Sequence, residues 1–175
     1  MCGIVGYYLK SKNKQKCVLD LGKAITSLEH RGPDNQGCYY SESRRIGLGH
    51  TRLSIQDVSL SANQPMITKD KRFIIIFNGE IYNFLELRES FSKKLESKFD
   101  WETVSDTEVL LNIFSHYVKS NKSIKEFLLL LNGIFSFAVW DSHTEELFLA
   151  RDAIGIKPLY YVSNNDGFFF SSEIK

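Results

Sequence analysis

Arg72-Phe73-Ile74-Ile75-Ile76-Phe77-Asn78-Gly79-Glu80 is the stretch that decides how this chain folds. The apolar run from Phe73 to Phe77 is core-sized, far below the length of a membrane span. It also lacks the polar alternation of a strand with one wet face. Such a run fits a strand covered on both sides, in the middle of a layered sheet. Asn78-Gly79-Glu80 is expected to end it where the backbone emerges, because Asn-Gly read in isolation is turn chemistry.

Outward from this strand, the remaining elements follow from periodicity. Ile4 to Leu9 is β-branched and aromatic and predicts a strand. Val18, Leu19, Leu21, Ala24, Ile25 and Leu28 recur at helical spacing, predicting an amphipathic helix over Gln15 to Glu29. Arg31-Gly32-Pro33-Asp34 stops it. Strands are expected near 37–41 and 46–54, joined through Glu42-Ser43-Arg44-Arg45. Helices are expected over 82–94, 107–117 and 124–131, the second capped by Ser105 or Asp106. The rest alternates like strands, at 133–140, 147–151, 159–162 and 167–171. Helices thus sit between two groups of antiparallel strands. A sandwich of two sheets with helices on its outer faces accommodates this order, as does a generic α+β domain.

The 175 residues suffice for one domain with a substantial core. Hydrophobic residues at 43% and charged residues at 25% are ordinary for a globular protein. A net charge of +1 supplies no global field toward nucleic acid or an anionic membrane. The basic stretch from Ser11 to Lys16 lacks the interleaved aromatics of a nucleic-acid stripe and reads as a solvated helix start. The N-terminus lacks the basic-then-apolar layout of a secretory signal. Cysteines at 2, 17 and 38 make neither a metal spacing nor an even disulfide set, which fits a reducing cytoplasm. Cys17 and Cys38 read as packing residues.

Cys2 carries the most chemical information. A small second residue allows Met1 to be trimmed, leaving one residue with a thiol and a free α-amine. Their ordinary pKa values lie near about 8.5 and about 7.7–8.0. The amine can therefore take the thiol proton near neutral pH, directly or through a water. The plainer reading is a small apolar residue opening a strand. His30 and His50 are the alternative bases, since Cys–His pairs are a common nucleophile arrangement.

Asn78 and Gly79 could present a side-chain amide and a backbone N–H to an oxyanion formed at an acyl carbon attacked by Cys2. Arg52 ends a strand with a planar fork that fits a carboxylate, although a solvated arginine has the same sequence signature. Asp106 could hold an ammonium or serve as an N-cap. Arg31 and Asp34 are expected to brace each other or the backbone. No glycine cluster has the form of a phosphate-cradling loop.

Taken in order, Met1-Cys2-Gly3-Ile4-Val5-Gly6, Glu29-His30-Arg31-Gly32-Pro33-Asp34, Gly49-His50-Thr51-Arg52-Leu53-Ser54-Ile55, Asn63-Gln64-Pro65, Phe77 to Asn83, Ser105-Asp106-Thr107-Glu108 and Arg151 to Tyr161 resemble the class II, N-terminal nucleophile, glutamine amidotransferases. The glutamine-hydrolysing asparagine synthetases are the most similar subgroup, with Leu53 where other subgroups are expected to carry an aromatic residue. The resemblance implies an α+β, four-layer αββα sandwich. It implies Cys2 as nucleophile with its own α-amine as base, and Asn78 and Gly79 as the oxyanion hole. Arg52 would bind the glutamine α-carboxylate, with Leu53, Ser54, Ile55 and Gln56 lining the pocket, and Glu80 and Asp106 would anchor the α-ammonium. Residues 1–175 would be a glutaminase domain needing no metal or cofactor. ATP and Mg would be used only by a C-terminal synthetase domain of the same parent chain, for which these residues contain no loop. Glutamine is the expected small-molecule partner, nucleic acid and membrane are not expected, and a homodimer is compatible with the pattern.

Overall fold

The computed structural model describes residues 1–10, 20–54, 57–94 and 100–174. Two antiparallel sheets face each other. The first has the order β2-β3-β1-β9-β8 and the second β4-β5-β6-β7. The strands are β1 (Gly3–Leu9), β2 (Asn35–Tyr40), β3 (Ile46–Arg52), β4 (Met66–Ile67), β5 (Phe73–Ile81), β6 (Gly133–Asp141), β7 (Glu146–Arg151), β8 (Tyr160–Ser163) and β9 (Gly167–Ser171). The helices are α1 (Leu21–Ser27), α2 (Phe84–Lys94), α3 (Asp106–Lys119) and α4 (Ile124–Leu129).

Alternation along β5 explains its composition. Ile74 and Ile76 point between the sheets, where they meet Ile4, Ile46, Leu48, Ala138 and Trp140. Phe73, Ile75 and Phe77 point the other way, into a cluster with Phe114 of α3 and Phe127 of α4. Both faces are therefore dry, as the sequence predicts. Each buried side chain of this size contributes roughly 1.5–3 kcal/mol of transfer free energy. On the outer face of the first sheet, Leu21, Ile25 and Leu28 cover Val5. The layer order is helix, sheet, sheet, helix, the expected αββα arrangement.

Several boundaries differ from the expectation. The first helix begins at Leu21, because Asp20 is an extended N-cap whose side chain accepts from the Lys23 N–H. The expected start at Gln15, the basic stretch 11–16 and Cys17 lie outside the described residues. Cys38 is exposed rather than packed. The two-residue β4 carries no periodic signal and was not expected. The second sheet is contiguous in sequence, but the first recruits the C-terminal β8 and β9, with Val5 opposite Ser171 and Leu9 opposite Gly167.

The largest correction concerns Asn78-Gly79-Glu80. These residues do not turn; β5 runs through them, with Asn78 opposite Ser136, Gly79 opposite Phe135 and Glu80 opposite Ile134. A Cβ on Gly79 would stand 2.3 Å from the Ile134 carbonyl oxygen. The glycine serves close strand approach rather than reversal.

Candidate active site

β1 delivers Cys2 to the end of β3. Gly3 pairs with Thr51 in an antiparallel ladder, so the residue before Gly3 meets Arg52 and Leu53. The Leu53 N–H points at Cys2 Sγ from 3.4 Å, and the thiol faces the Leu53 carbonyl oxygen at 3.7 Å. Across the gap between the sheets, β5 brings Asn78, Gly79 and Glu80, and the first turn of α3 brings Asp106. These residues enclose one cavity of about 110 Å³, lined also by Met1, Gln64 and Lys157.

Burial raises the Cys2 thiol pKa, and the Leu53 contact, the terminal amine, Arg52 and Lys157 pull it back. With Met1 attached, the α-nitrogen of Cys2 is an amide without basic character. Asn78 is buried with its Nδ2 lacking a hydrogen-bond partner. A buried amide N–H₂ without an acceptor is costly unless something arriving in the cavity accepts from it. Asp106 is the first helical residue rather than the cap; Ser105 caps α3 by accepting from the Thr107 N–H. The Asp106 carboxylate accepts from the Ile81 N–H at 3.0 Å. Burial lifts its pKa to about 6, with the neighbouring Glu80 charge adding in the same direction.

The candidate bases separate clearly. The His50 ring lies buried between the sheets, with Nε2 3.1 Å from the Phe77 carbonyl oxygen. Desolvation lowers its pKa to about 3, so it is neutral. His30 pairs through Nε2 with Glu173 at 2.8 Å. Among the described residues, the hydrogen-bond contacts of Cys2 Sγ are both with Leu53.

A glutamine amidotransferase domain model matches residues 1–175, the whole chain. The chain belongs to this family. It is 41% identical over 181 residues to asparagine synthetase [glutamine-hydrolyzing] 1 of Bacillus subtilis, covering 100% of this chain and 26% of that protein. It is 38% identical over 179 residues to the maize asparagine synthetase [glutamine-hydrolyzing], covering 100% and 28%. It is 34% identical over 184 residues to amidase chry2 of Gibberella zeae, covering 100% and 26%. The chain therefore spans about a quarter of the length of these curated relatives. Glutamine phosphoribosylpyrophosphate amidotransferase from Bacillus subtilis superposes with a TM-score of 0.74 at 20% identity, over 98% of this chain and 42% of that one. At that identity the likeness speaks for the fold.

In this amidotransferase domain, Cys2, Arg52, Leu53, Asn78, Gly79, Glu80 and Asp106 share the cavity wall. Ser54 does not line it; its N–H is held by Asp34 at 2.7 Å. Ile55 and Gln56 lie outside the described residues. Arg52 is not solvated. Its Nη1 donates to the Ser59 carbonyl oxygen at 2.8 Å and to Asn63 Oδ1 at 2.5 Å, and Nη2 donates to the Asp57 carbonyl oxygen. The loop from Asp57 to Asn63 thus fixes the fork at the cavity edge.

Two contributors, Gln64 and Lys157, carry no assigned role in the sequence. Gln64 spans the cavity floor, accepting from the Phe77 N–H at 2.6 Å and donating to Thr107 Oγ1 at 3.3 Å. Arg31 braces the backbone, the second of the two expected roles, by donating to the Cys2 carbonyl oxygen. Lys157 enters from the β7–β8 connection. Gln64 and Lys157 fall in Asn63-Gln64-Pro65 and Arg151 to Tyr161, stretches that carried the resemblance without any assigned role.

Proposed function

We propose that this domain hydrolyses glutamine to glutamate and ammonia, with Cys2 as nucleophile once Met1 is removed. The observation that carries this reading is the shared cavity: one thiol, one carboxylate-matching guanidinium, one amide-and-N–H corner and one buried carboxylate face the same small space. Glutamine would lie with its α-carboxylate toward Arg52 and its α-ammonium toward Glu80 and Asp106. Its side-chain amide carbon would then sit over Cys2.

In this reading the freed α-amine takes the thiol proton, and sulfur attacks the amide carbon. The tetrahedral oxyanion is stabilised by Asn78 Nδ2 and the Gly79 N–H, each such donor being worth roughly 3–4 kcal/mol in the transition state. The ammonium returns its proton to the departing nitrogen, and ammonia leaves. Water then hydrolyses the γ-glutamyl thioester, releasing glutamate and restoring the thiol. No metal or cofactor enters these steps.

The similarity to glutamine-hydrolysing asparagine synthetases supports a role as the glutaminase half of a longer chain. Its ammonia would go to a C-terminal synthetase domain that uses ATP and Mg to activate aspartate, in the cytoplasm. The 34% identity to an amidase supports a second reading, in which the same half-reaction serves a different acceptor. Among the described residues no helix is long and apolar enough to cross a membrane.

The test uses protein shown by intact mass to have lost Met1. Glutamate release from glutamine, and γ-glutamyl hydroxamate when hydroxylamine intercepts the thioester, are the expected products. Cys2→Ala should abolish both while leaving the far-ultraviolet circular dichroism unchanged. Turnover surviving in that variant would remove Cys2 from the role.

A further inference from the structure

The segment from Arg151 to Lys157 is built with more care than a connection between two strands requires. Asp152, itself buried, accepts from the N–H groups of Ile156 at 2.8 Å and Lys157 at 3.0 Å. The same carboxylate accepts from the Phe135 N–H at 3.2 Å, and the Asp152 N–H donates back to the Phe135 carbonyl oxygen at 2.8 Å. Gly155 takes a left-handed backbone at φ 75°, and Arg151 closes the turn by donating to the carbonyl oxygens of Gly155 and Lys157. Phe135 is the residue opposite Gly79. The turn is thereby fastened to the strand pair that carries the oxyanion corner.

What this turn presents to the cavity is the half-buried side chain of Lys157. Among the described residues its ammonium has no hydrogen-bond or ion-pair partner. The other charges around Cys2 are committed. Arg52 is held by the Asp57–Asn63 loop, and Arg31 by Glu173 and the Cys2 carbonyl oxygen. Asp57 accepts from the N–H groups of Ser59 and Val104, and Asp106 from that of Ile81. Glu80 lines the same cavity, where its charge acts on Asp106. An uncommitted cation in a partly dry cavity is drawn to wherever negative charge develops.

We propose that Lys157 is a positioning residue for the nucleophile, its ammonium acting as counter-charge to the Cys2 sulfur while keeping the adjacent α-amine in its neutral, basic form. Both effects have the same sign for catalysis: a nearby positive charge favours the thiolate and disfavours the protonated amine. This inference rests on the glutaminase reading for its catalytic meaning. Its physical content can be read without turnover.

The experiment compares Met1-free wild type, Lys157→Gln, Lys157→Met and Lys157→Arg. Iodoacetamide alkylation from pH 5.5 to 9.5, followed by mass spectrometry of the peptide that carries Cys2, reports its thiolate apart from the exposed Cys38. The acid limb of kcat/KM for glutamine over the same range reports the base. Lys157→Gln and Lys157→Met should move both limbs up by about half a pH unit, slowing alkylation at pH 7 about threefold. Lys157→Arg should restore both. Limbs that stay in place overturn the proposal, as does a rise in KM alone, which would make Lys157 a substrate contact. Unfolding of both neutral variants would make it a structural residue and overturn it equally. Should wild type give no hydroxamate at all, the glutaminase reading fails while the alkylation profile still decides Lys157.

Discussion

Arg31 Nε donates a 3.0 Å hydrogen bond to the carbonyl oxygen of Cys2, so the residue proposed as nucleophile is held by its backbone as well as its side chain. The other end of the guanidinium meets Glu173 at 3.0 Å, and Glu173 also takes His30. Hydrogen bonds to charged groups contribute about 1.5–3 kcal/mol. Trimming Met1 leaves Cys2 as a chain end, and a chain end frays unless tied. Arg31→Met is therefore expected to lower kcat for glutamine hydrolysis by about 10- to 100-fold, with KM changed less. Glu173→Gln keeps a hydrogen-bonding group at a partly exposed position and should cost under about 1 kcal/mol in urea unfolding. Steady-state kinetics and unfolding curves on the two variants check the pair.

Asp106 supplies a pH dependence whose direction follows from burial. Its folded pKa of about 6 lies above the ordinary value of 3.8. Folding therefore favours the protonated form, and the stability this provides is complete below about pH 4 and lost as pH rises through about 6. Two units correspond to about 3 kcal/mol. Asp106→Asn keeps an acceptor for the Ile81 N–H without the buried charge. It should be more stable than wild type at pH 7.5 by about 2–3 kcal/mol, with the difference shrinking toward zero near pH 4. The same variant should raise KM for glutamine at pH 7.5, because the charge that destabilises the empty site is the one proposed to hold the α-ammonium. Wild-type KM should rise as pH falls through about 6. A KM indifferent to pH and to the substitution would take Asp106 out of substrate binding.

The two-face burial of β5 was readable from Phe73 to Phe77 because period-2 alternation vanishes when both faces are dry. The same stretch misleads at Asn78-Gly79. A glycine signals either a turn or a close backbone approach, and only the partner strand, some 55 residues later, tells which. Partnership over longer spans left still less trace. The β1–β9 pair joins Val5 to Ser171, and Arg31 reaches Cys2 and Glu173 from separate parts of the chain. Nothing local in Gly167 to Ser171 says which sheet it completes. The candidate residues Cys2, Arg52, Asn78, Gly79, Glu80 and Asp106 were legible as a set through the family resemblance of the motifs that carry them, and the structure brings them to one cavity. Gln64 and Lys157 were hidden because a buried glutamine and a lone lysine have no signature until their neighbours are known.

Gly79 is the position at which fold and proposed chemistry constrain the same atoms. Besides the Ile134 oxygen at 2.3 Å, an added Cβ would meet Phe135 Cα at 2.7 Å, and both are strand backbone with little room to yield. Overpacking of this kind costs about 1–3 kcal/mol. Gly79→Ala should therefore unfold at lower urea concentration. It should also lose glutamine turnover, since separating β5 from β6 displaces the N–H proposed for the oxyanion. A variant of native stability and full activity would show that the strand pair accommodates the methyl group without moving that donor.

Asn78 separates catalysis from stability more cleanly. Its Nδ2 is buried without an acceptor, so the folded protein gains nothing from that N–H₂ in the empty site. Removing it takes away a desolvation penalty, and the small cavity left behind offsets the gain. Asn78→Ala is thus expected to unfold within about 1 kcal/mol of wild type. A donor whose acceptor exists only in the transition state acts on kcat, not on ground-state affinity. The same substitution should then lower kcat by about 10²–10³-fold with KM nearly unchanged. Asn78→Asp, which replaces the donor by a negative charge facing the developing oxyanion, should be slower still. If kcat survives the alanine substitution, the Gly79 N–H alone would have to stabilise the oxyanion, and the two-donor corner would be wrong.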